Sequence, residues 1–186
     1  MIHINSSRRW KAVSVAALFA AAGCASTQNQ QAPGEYADDA TLTGKVKSAL
    51  IADPVAESHQ IEVETYRGVV QLSGFVDSQN ERVAAVNVAK GVNGVKSVHD
   101  NLKIRTGAST VGEALDDSVL TARVKTALIA NPITKARQIN VATADGVVQL
   151  SGFVDSANEK STATEVARTI PGVRLVQNEL EMKPNL

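Results

Sequence analysis

Three histidines, one cysteine and a set of recurring carboxylates are the side chains of this 186-residue chain that could carry chemistry. His3, His59 and His99 would bind a metal or move a proton only beside partners at fixed spacing. The sequence offers no His pair, no Cys pair and no Glu-x-x-His run. Asp77 with Glu81, and Asp155 with Glu159, could be drawn as acid–base pairs. Each pair sits at a helix start beside a serine, where carboxylates complement the positive end of the helix dipole, so both are read as structural. The segment Gly68 to Gly74 lacks the Gly-Lys-Ser/Thr ending of a phosphate loop, and no Gly-x-Ser-x-Gly nucleophile elbow occurs. No catalytic residue, metal site, cofactor or small-molecule substrate is expected, and the chain is read as non-enzymatic.

Cys24 has chemistry of a different kind. Arg8, Arg9 and Lys11 form a positive region, and Ala12 to Ala22 is apolar except for Ser14. That run is about half the ~20 residues that span a bilayer, so residues 1–23 read as a signal peptide. It ends in Ala21-Ala22-Gly23-Cys24, which resembles a bacterial lipobox. The expectation is cleavage before Cys24 and acylation of that cysteine, giving a lipid anchor at the periplasmic face of the outer membrane; the alternative is a soluble periplasmic protein. Lysine and arginine total 19 against 19 acidic residues, and aromatics are 3%. A neutral chain so poor in aromatics lacks the basic field and stacking platforms of a nucleic-acid binder.

The elements that must position these residues are written twice. Residues 24–37 are polar and read as a flexible tether. Beyond them Asp39 and Asp117, Pro54 and Pro132, and Gly74 and Gly152 are each separated by 78 residues, and Gly68–Ser78 returns unchanged as Gly146–Ser156. His59 and His99 become Arg137 and Gln177 in the second copy. The copies are read as residues 38–105 and 116–183, joined by a linker at 106–115, and they are expected to pack together because units of ~65–70 residues are marginal alone. Within each copy the pattern gives helix, strand, strand, helix, strand. Leu42, Val46, Ala49 and Leu50, like Leu120, Val124, Ala127 and Leu128, make one helical face. Asp39 and Asp117 read as N-caps, and Pro54 and Pro132 as stops. Ile61–Thr65 and Ile139–Thr143 alternate with period two, Gly68 and Asp145-Gly146 supply hairpin turns, and Val69–Val76 and Val147–Val154 return. Gly74 and Gly152 inside those strands suggest a bulge or a close helix–sheet approach. Ser78 to Glu81 and Ser156 to Glu159 are capping boxes, and Val95–Arg105 and Val173–Lys183 are the final strands. Val46, Leu50, Leu72, Val88 and Val98, with Val124, Leu128, Leu150, Val166 and Val176, are the expected core. The pattern does not fix which strand the last one joins.

The duplicated Val-Val-Gln-Leu-Ser-Gly-Phe-Val-Asp-Ser, the helix after it, and the turns Asn93-Gly94-Val95 and Pro171-Gly172-Val173 resemble the BON domain. The resemblance covers roughly Asp38 to Lys183. It implies an α+β fold of two tandem αββαβ modules, each a three-stranded mixed sheet packed on two helices. It also implies a non-enzymatic envelope protein, of the osmotically inducible periplasmic kind or of the outer-membrane lipoprotein kind. Its partner would be anionic phospholipid for some members, with support of outer-membrane integrity or stress tolerance. The alternative is a periplasmic chaperone-like or protein-interaction module whose partners are envelope proteins.

Repeated cations are the feature that packing explains least. Lys45 and Lys47 return as Arg123 and Lys125, Lys90 as Arg168, and Lys96 as Arg174. Each cation beside an anionic membrane is worth ~1 kcal/mol, so a few suffice once an anchor localises the chain. The expected lipid-contacting residues are Val119, Arg123 and Lys125, on the first helix of the second copy. Its counterpart carries Thr41 and Gly44 where this helix has Val119 and Ala122, and is the more polar and flexible of the two.

Overall fold

A computed structural model describes residues 33–56, 60–105 and 111–183. The segment read as a signal peptide, Cys24, most of the segment read as a tether, His59 and residues 106–110 of the expected linker lie outside the described residues. The first module runs α1 (Pro33–Ala52), β1 (Ile61–Tyr66), β2 (Val69–Val76), α2 (Gln79–Gly91) and β3 (Ser97–Ile104). The second runs α3 (Val111–Ala130), a 3-10 turn at Ala136–Gln138, β4 (Asn140–Ala144), β5 (Val147–Val154), α4 (Ala157–Arg168) and β6 (Leu175–Met182). In each sheet the hairpin pairs antiparallel and the last strand joins the central one in parallel, giving the orders β1-β2-β3 and β4-β5-β6.

Each core follows from the spacing of its apolar residues. Leu42, Val46 and Leu50 recur at i, i+4 and i+8 and are buried against Val63, Val70, Leu72 and Leu102. Leu120, Val124 and Leu128 do the same over Val141, Val148, Leu150 and Leu180. Ala85, Ala89, Ala163 and Ala167 are buried on α2 and α4, where small side chains let the helix lie close to its sheet. Of the expected core, Val88, Val98 and Val166 are only half-buried and pack on its margin.

Four local expectations are corrected. Among the described residues the helices already run from Pro33 and Val111, ahead of Asp39 and Asp117 and inside the segments read as tether and linker. Asp39 and Asp117 are therefore not N-caps. The Asp39 carboxylate accepts the N–H groups of Arg67 (2.5 Å) and Gly68 (2.9 Å), and Asp117 those of Asp145 (2.8 Å) and Gly146 (2.9 Å). Both central residues of each hairpin turn have positive φ, as a I′ turn requires, and their N–H groups point away from the strands. One carboxylate per module thus ties the helix to its turn. In the capping boxes Ser78 and Ser156 accept from Glu81 N and Glu159 N at 3.1 Å as expected. The glutamates, however, accept from Asp77 N (2.8 Å) and Asp155 N (3.1 Å), one residue before the cap. Gly74 and Gly152 mark no helix approach. A Cβ there would sit 2.0 and 2.1 Å from the carbonyl oxygens of Gln60 and Gln138, on the chain entering the neighbouring strand.

The two modules pack sheet against sheet. Residues of β2 alternate between Val70, Leu72 and Val76, which face their own helices, and Gln71, Ser73 and Phe75, which lie outside that core yet are buried. Gln71 and Ser73 of the second set meet the copy of their own strand. Gln71 Oε1 accepts the Gly152 N–H and Gln149 Oε1 accepts the Gly74 N–H, both at 2.6 Å, and Ser73 Oγ lies 2.7 Å from Ser151 Oγ. Gln71 Nε2 donates to the Glu179 carbonyl (2.9 Å), and Gln149 Nε2 to that of Asn101 (2.6 Å). Each bond has its counterpart 78 residues on, so the contact has local two-fold character, like the isologous interface of a homodimer. The rim is asymmetric: His99 Nδ1 to Glu181 (2.6 Å), Lys103 to Glu179 (2.7 Å), and the Tyr66 ring 5.5 Å from that of Phe153.

Candidate functional site

The sides of α3 are fixed by its buried face. Leu120, Val124 and Leu128 point into the core, so Val119, Ala122, Thr126 and Ile129 lie opposite them, and all four are exposed. Val119 is 50% exposed and Ile129 72%, large values for apolar side chains of this size. Arg123 and Lys125 are two residues apart, about 200° of helical rotation, which leaves roughly 160° between them across the solvent side. That outer arc holds Val119, Ala122, Thr126 and Ile129 and no charge. The two cations therefore do not point the same way; they border an uncharged stripe on its two edges.

The surroundings of the three expected residues differ. Val119 and Arg123 lie on one open cleft with Asp116, Asp145 and Arg174. Arg174 Nη1 donates to the Asp145 carbonyl at 2.9 Å. Lys125 is not in that cleft; it borders a hollow with Ile129 and Arg137. The fold thus brings Val119 and Arg123 together, adds Arg174 from the start of β6, and gives Lys125 to the far end of the stripe. Sequence reasoning missed Ile129, Arg137 and Arg174 as neighbours of the site. Ile129 was findable, because Val119, Ala122, Thr126 and Ile129 recur at i, i+3, i+7 and i+10, a second helical stripe behind the core one. Arg137 and Arg174 come from distant segments, and no spacing rule connects them to α3.

The same positions on α1 are Thr41, Gly44, Ser48 and Ile51, a more polar and weaker surface. Lys47, the counterpart of Lys125, lies 3.9 Å from Glu62; in the second module Asn140 stands where Glu62 does, so Lys125 meets no such carboxylate. Among the described ion pairs none involves Arg123 or Lys125.

The paired carboxylates have other work. Asp155 is bonded to the ammonium groups of Lys135 and Lys183, the latter at 2.6 Å, and Asp77 lies 3.7 Å from Arg105. Glu81 and Glu159 are buried and satisfied by backbone N–H groups. Desolvation pushes the Asp155 pKa up, but the two lysine hydrogen bonds outweigh it and hold the group below its ordinary range. No helix of the described residues is long and apolar enough to cross a membrane.

Comparison with known proteins matches the BON domain family at residues 38–106 and again at 116–184. The Osmotically-inducible protein Y of Escherichia coli (strain K12) is 44% identical over 152 residues, covering 81% of this chain and 75% of that protein. The 21 kDa hemolysin of Actinobacillus pleuropneumoniae is 35% identical, covering 77% of this chain and 73% of its own length. The Outer membrane lipoprotein DolP of Haemophilus influenzae is 31% identical, covering 77% and 74%.

Proposed function

The chain belongs to the BON domain family, and from that premise we propose a non-enzymatic envelope protein, held by a lipidated Cys24 at the periplasmic face of the outer membrane, that lays the outer face of α3 on anionic phospholipid. The envelope setting is supported by a relative named as an outer membrane lipoprotein, and a role in stress tolerance by one named as osmotically inducible. One observation carries the lipid reading: the stripe Val119, Ala122, Thr126 and Ile129 is exposed, uncharged and bordered on both edges by cations. A helix lying in a membrane interface buries such a stripe among acyl chains near the head groups. Its flanking Arg123 and Lys125 then snorkel sideways to lipid phosphates, which removes the need for both to point downward. Anchor and helix each contribute part of the affinity, as marginal peripheral binding by one signal requires.

Two measurements test this. Mass spectrometry of the mature protein is expected to find diacylglyceryl modification at Cys24; an unmodified N-terminus elsewhere overturns the anchor. Unacylated Cys24→Ser protein is expected to co-sediment with phosphatidylglycerol vesicles in a salt-sensitive manner, and with phosphatidylcholine vesicles hardly at all. Arg123→Glu with Lys125→Glu, and separately Ile129→Ser, are expected to release it at unchanged melting temperature. Undiminished sedimentation of both variants, or none by the parent, removes α3 as the site.

A further inference from the structure

The junction between the modules has one side built differently from the other. Both tyrosines of the chain, Tyr36 and Tyr66, line a single cleft of about 630 Å³ bounded by α1, β1 and the second module. Glu64 lines the same cleft, and Phe153 and Lys183 border it from the second module. The local two-fold makes an equivalent place on the opposite side, but there the residues 78 further on from Tyr36, Glu64 and Tyr66 are Ala114, Ala142 and Ala144. The centre of the interface is identical in both copies; these three positions are where aromatic and acidic groups stand on one side and alanine on the other.

We propose that this cleft binds a small organic ammonium ion, its charge held between the Glu64 carboxylate and the Tyr36 ring. Aromatic faces and a carboxylate attract such a cation by the ring quadrupole and by charge. Tyr36 is 68% exposed, so its ring is accessible to a ligand. Tyr66 already holds cations of the protein itself: Arg67 Cζ and Lys183 Nζ each lie 5.6 Å from its ring centroid. The Lys183 ammonium does not make the cleft basic, because Asp155 neutralises it at 2.6 Å. The Glu64 carboxylate accepts a long hydrogen bond from Asn140 Nδ2, 3.3 Å. Burial pushes its pKa up; the Asn140 bond and Lys47 act downward, while Glu62 and Asp39 push it further up. The carboxylate is thus short of positive charge, which a bound ammonium supplies. The site is independent of the lipid surface on α3.

The test is titration calorimetry of the intact two-module protein with choline, its neutral isostere 3,3-dimethylbutan-1-ol, and monomeric dihexanoylphosphatidylcholine. The two probes that carry a quaternary ammonium separate a free ammonium from a lipid head group as the source, and the tighter one identifies it. Saturable binding of at least one is expected, with no binding of the neutral isostere. Glu64→Gln and Tyr36→Ala, checked by melting curve for an intact fold, are each expected to weaken it at least tenfold. Absence of saturable binding by both quaternary-ammonium probes, equal binding of the isostere, or undiminished affinity in Glu64→Gln overturns the proposal.

Discussion

Gln71 and Gln149 each satisfy a buried glycine N–H of the opposite module, and each is about 1% exposed. Truncation to alanine leaves that N–H without a partner, a loss of about 1–3 kcal/mol for each buried donor. Either single variant is expected to lower the thermal midpoint, and the two together less than additively, because they share one interface. Two carboxylates are expected to respond to pH with opposite signs. Asp155 is held below its ordinary value of 3.8 by Lys135 and Lys183 against the opposing effect of burial. Its contribution is complete well above pH 3.8 and is lost as pH falls through the folded-state value. The stability gap between the parent and Asp155→Asn, wide at pH 7, is therefore expected to close on acidification. Glu64 is raised above its ordinary 4.5, chiefly by burial, so folding favours its protonated form. That favourable contribution is present below pH 4.5 and is lost as pH rises through the folded-state value. Glu64→Gln is expected to raise the melting temperature at pH 7, with the gain vanishing near pH 4; thermal scans at several pH values read both effects.

At the scale of elements, the glycines of the chain divide by what surrounds them. Gly74 and Gly152 hold φ of 112° and 122°, with the carbonyls of Gln60 and Gln138 where a Cβ would go. Gly152→Ala is expected to cost more than about 2 kcal/mol, from strain at positive φ and from displacement of the strand entry. Gly44, inside α1 with nothing within 4 Å, is expected to behave oppositely: Gly44→Ala should stabilise by about 0.4–1 kcal/mol through the unfolded chain. Denaturant melts of both variants decide the pair. The helices α1 and α3 share their buried stripes but differ on their outer ones, so Leu50→Ala and Leu128→Ala are each expected to cost about 2–5 kcal/mol. Leu128→Ala should leave vesicle binding intact where folded protein remains, because that side chain faces away from the stripe.

At the scale of the whole molecule, the two modules form one body because the central strand of each is buried on both faces. A β2 or β5 strand standing alone would expose Gln71, Ser73 and Phe75, or Gln149, Ser151 and Phe153. The intact protein is therefore expected to unfold in a single calorimetric transition. The Gln71→Ala/Gln149→Ala protein should show broadened or separate transitions as the modules uncouple. Two resolved transitions in the parent would refute the coupling.

The order of elements, the extent of each return strand, the apolar faces and the stop of each first helix were legible in the sequence. They depend on periodicity and on single residues such as Pro54 and Pro132, which act locally. The unchanged block Gly68–Ser78 was visible too, but its reason was not. Val70, Leu72 and Val76 serve their own core, while Gln71 and Ser73 meet the same block in the other module, a contact far along the chain that no local pattern encodes. For the same reason Asp39 and Asp117 read as helix caps when they bind turns 28 and 29 residues on. Val119, Arg123 and Lys125 could be placed on one helix from sequence. Only the packed module shows that the stripe from Val119 to Ile129 is left uncovered, and only the tertiary structure brings Glu64 and both tyrosines to one cleft, which Phe153 and Lys183 of the second module border. Local periodicity determines which face of an element is apolar; which buried polar groups meet, and what remains uncovered, is decided by partners far away in the chain.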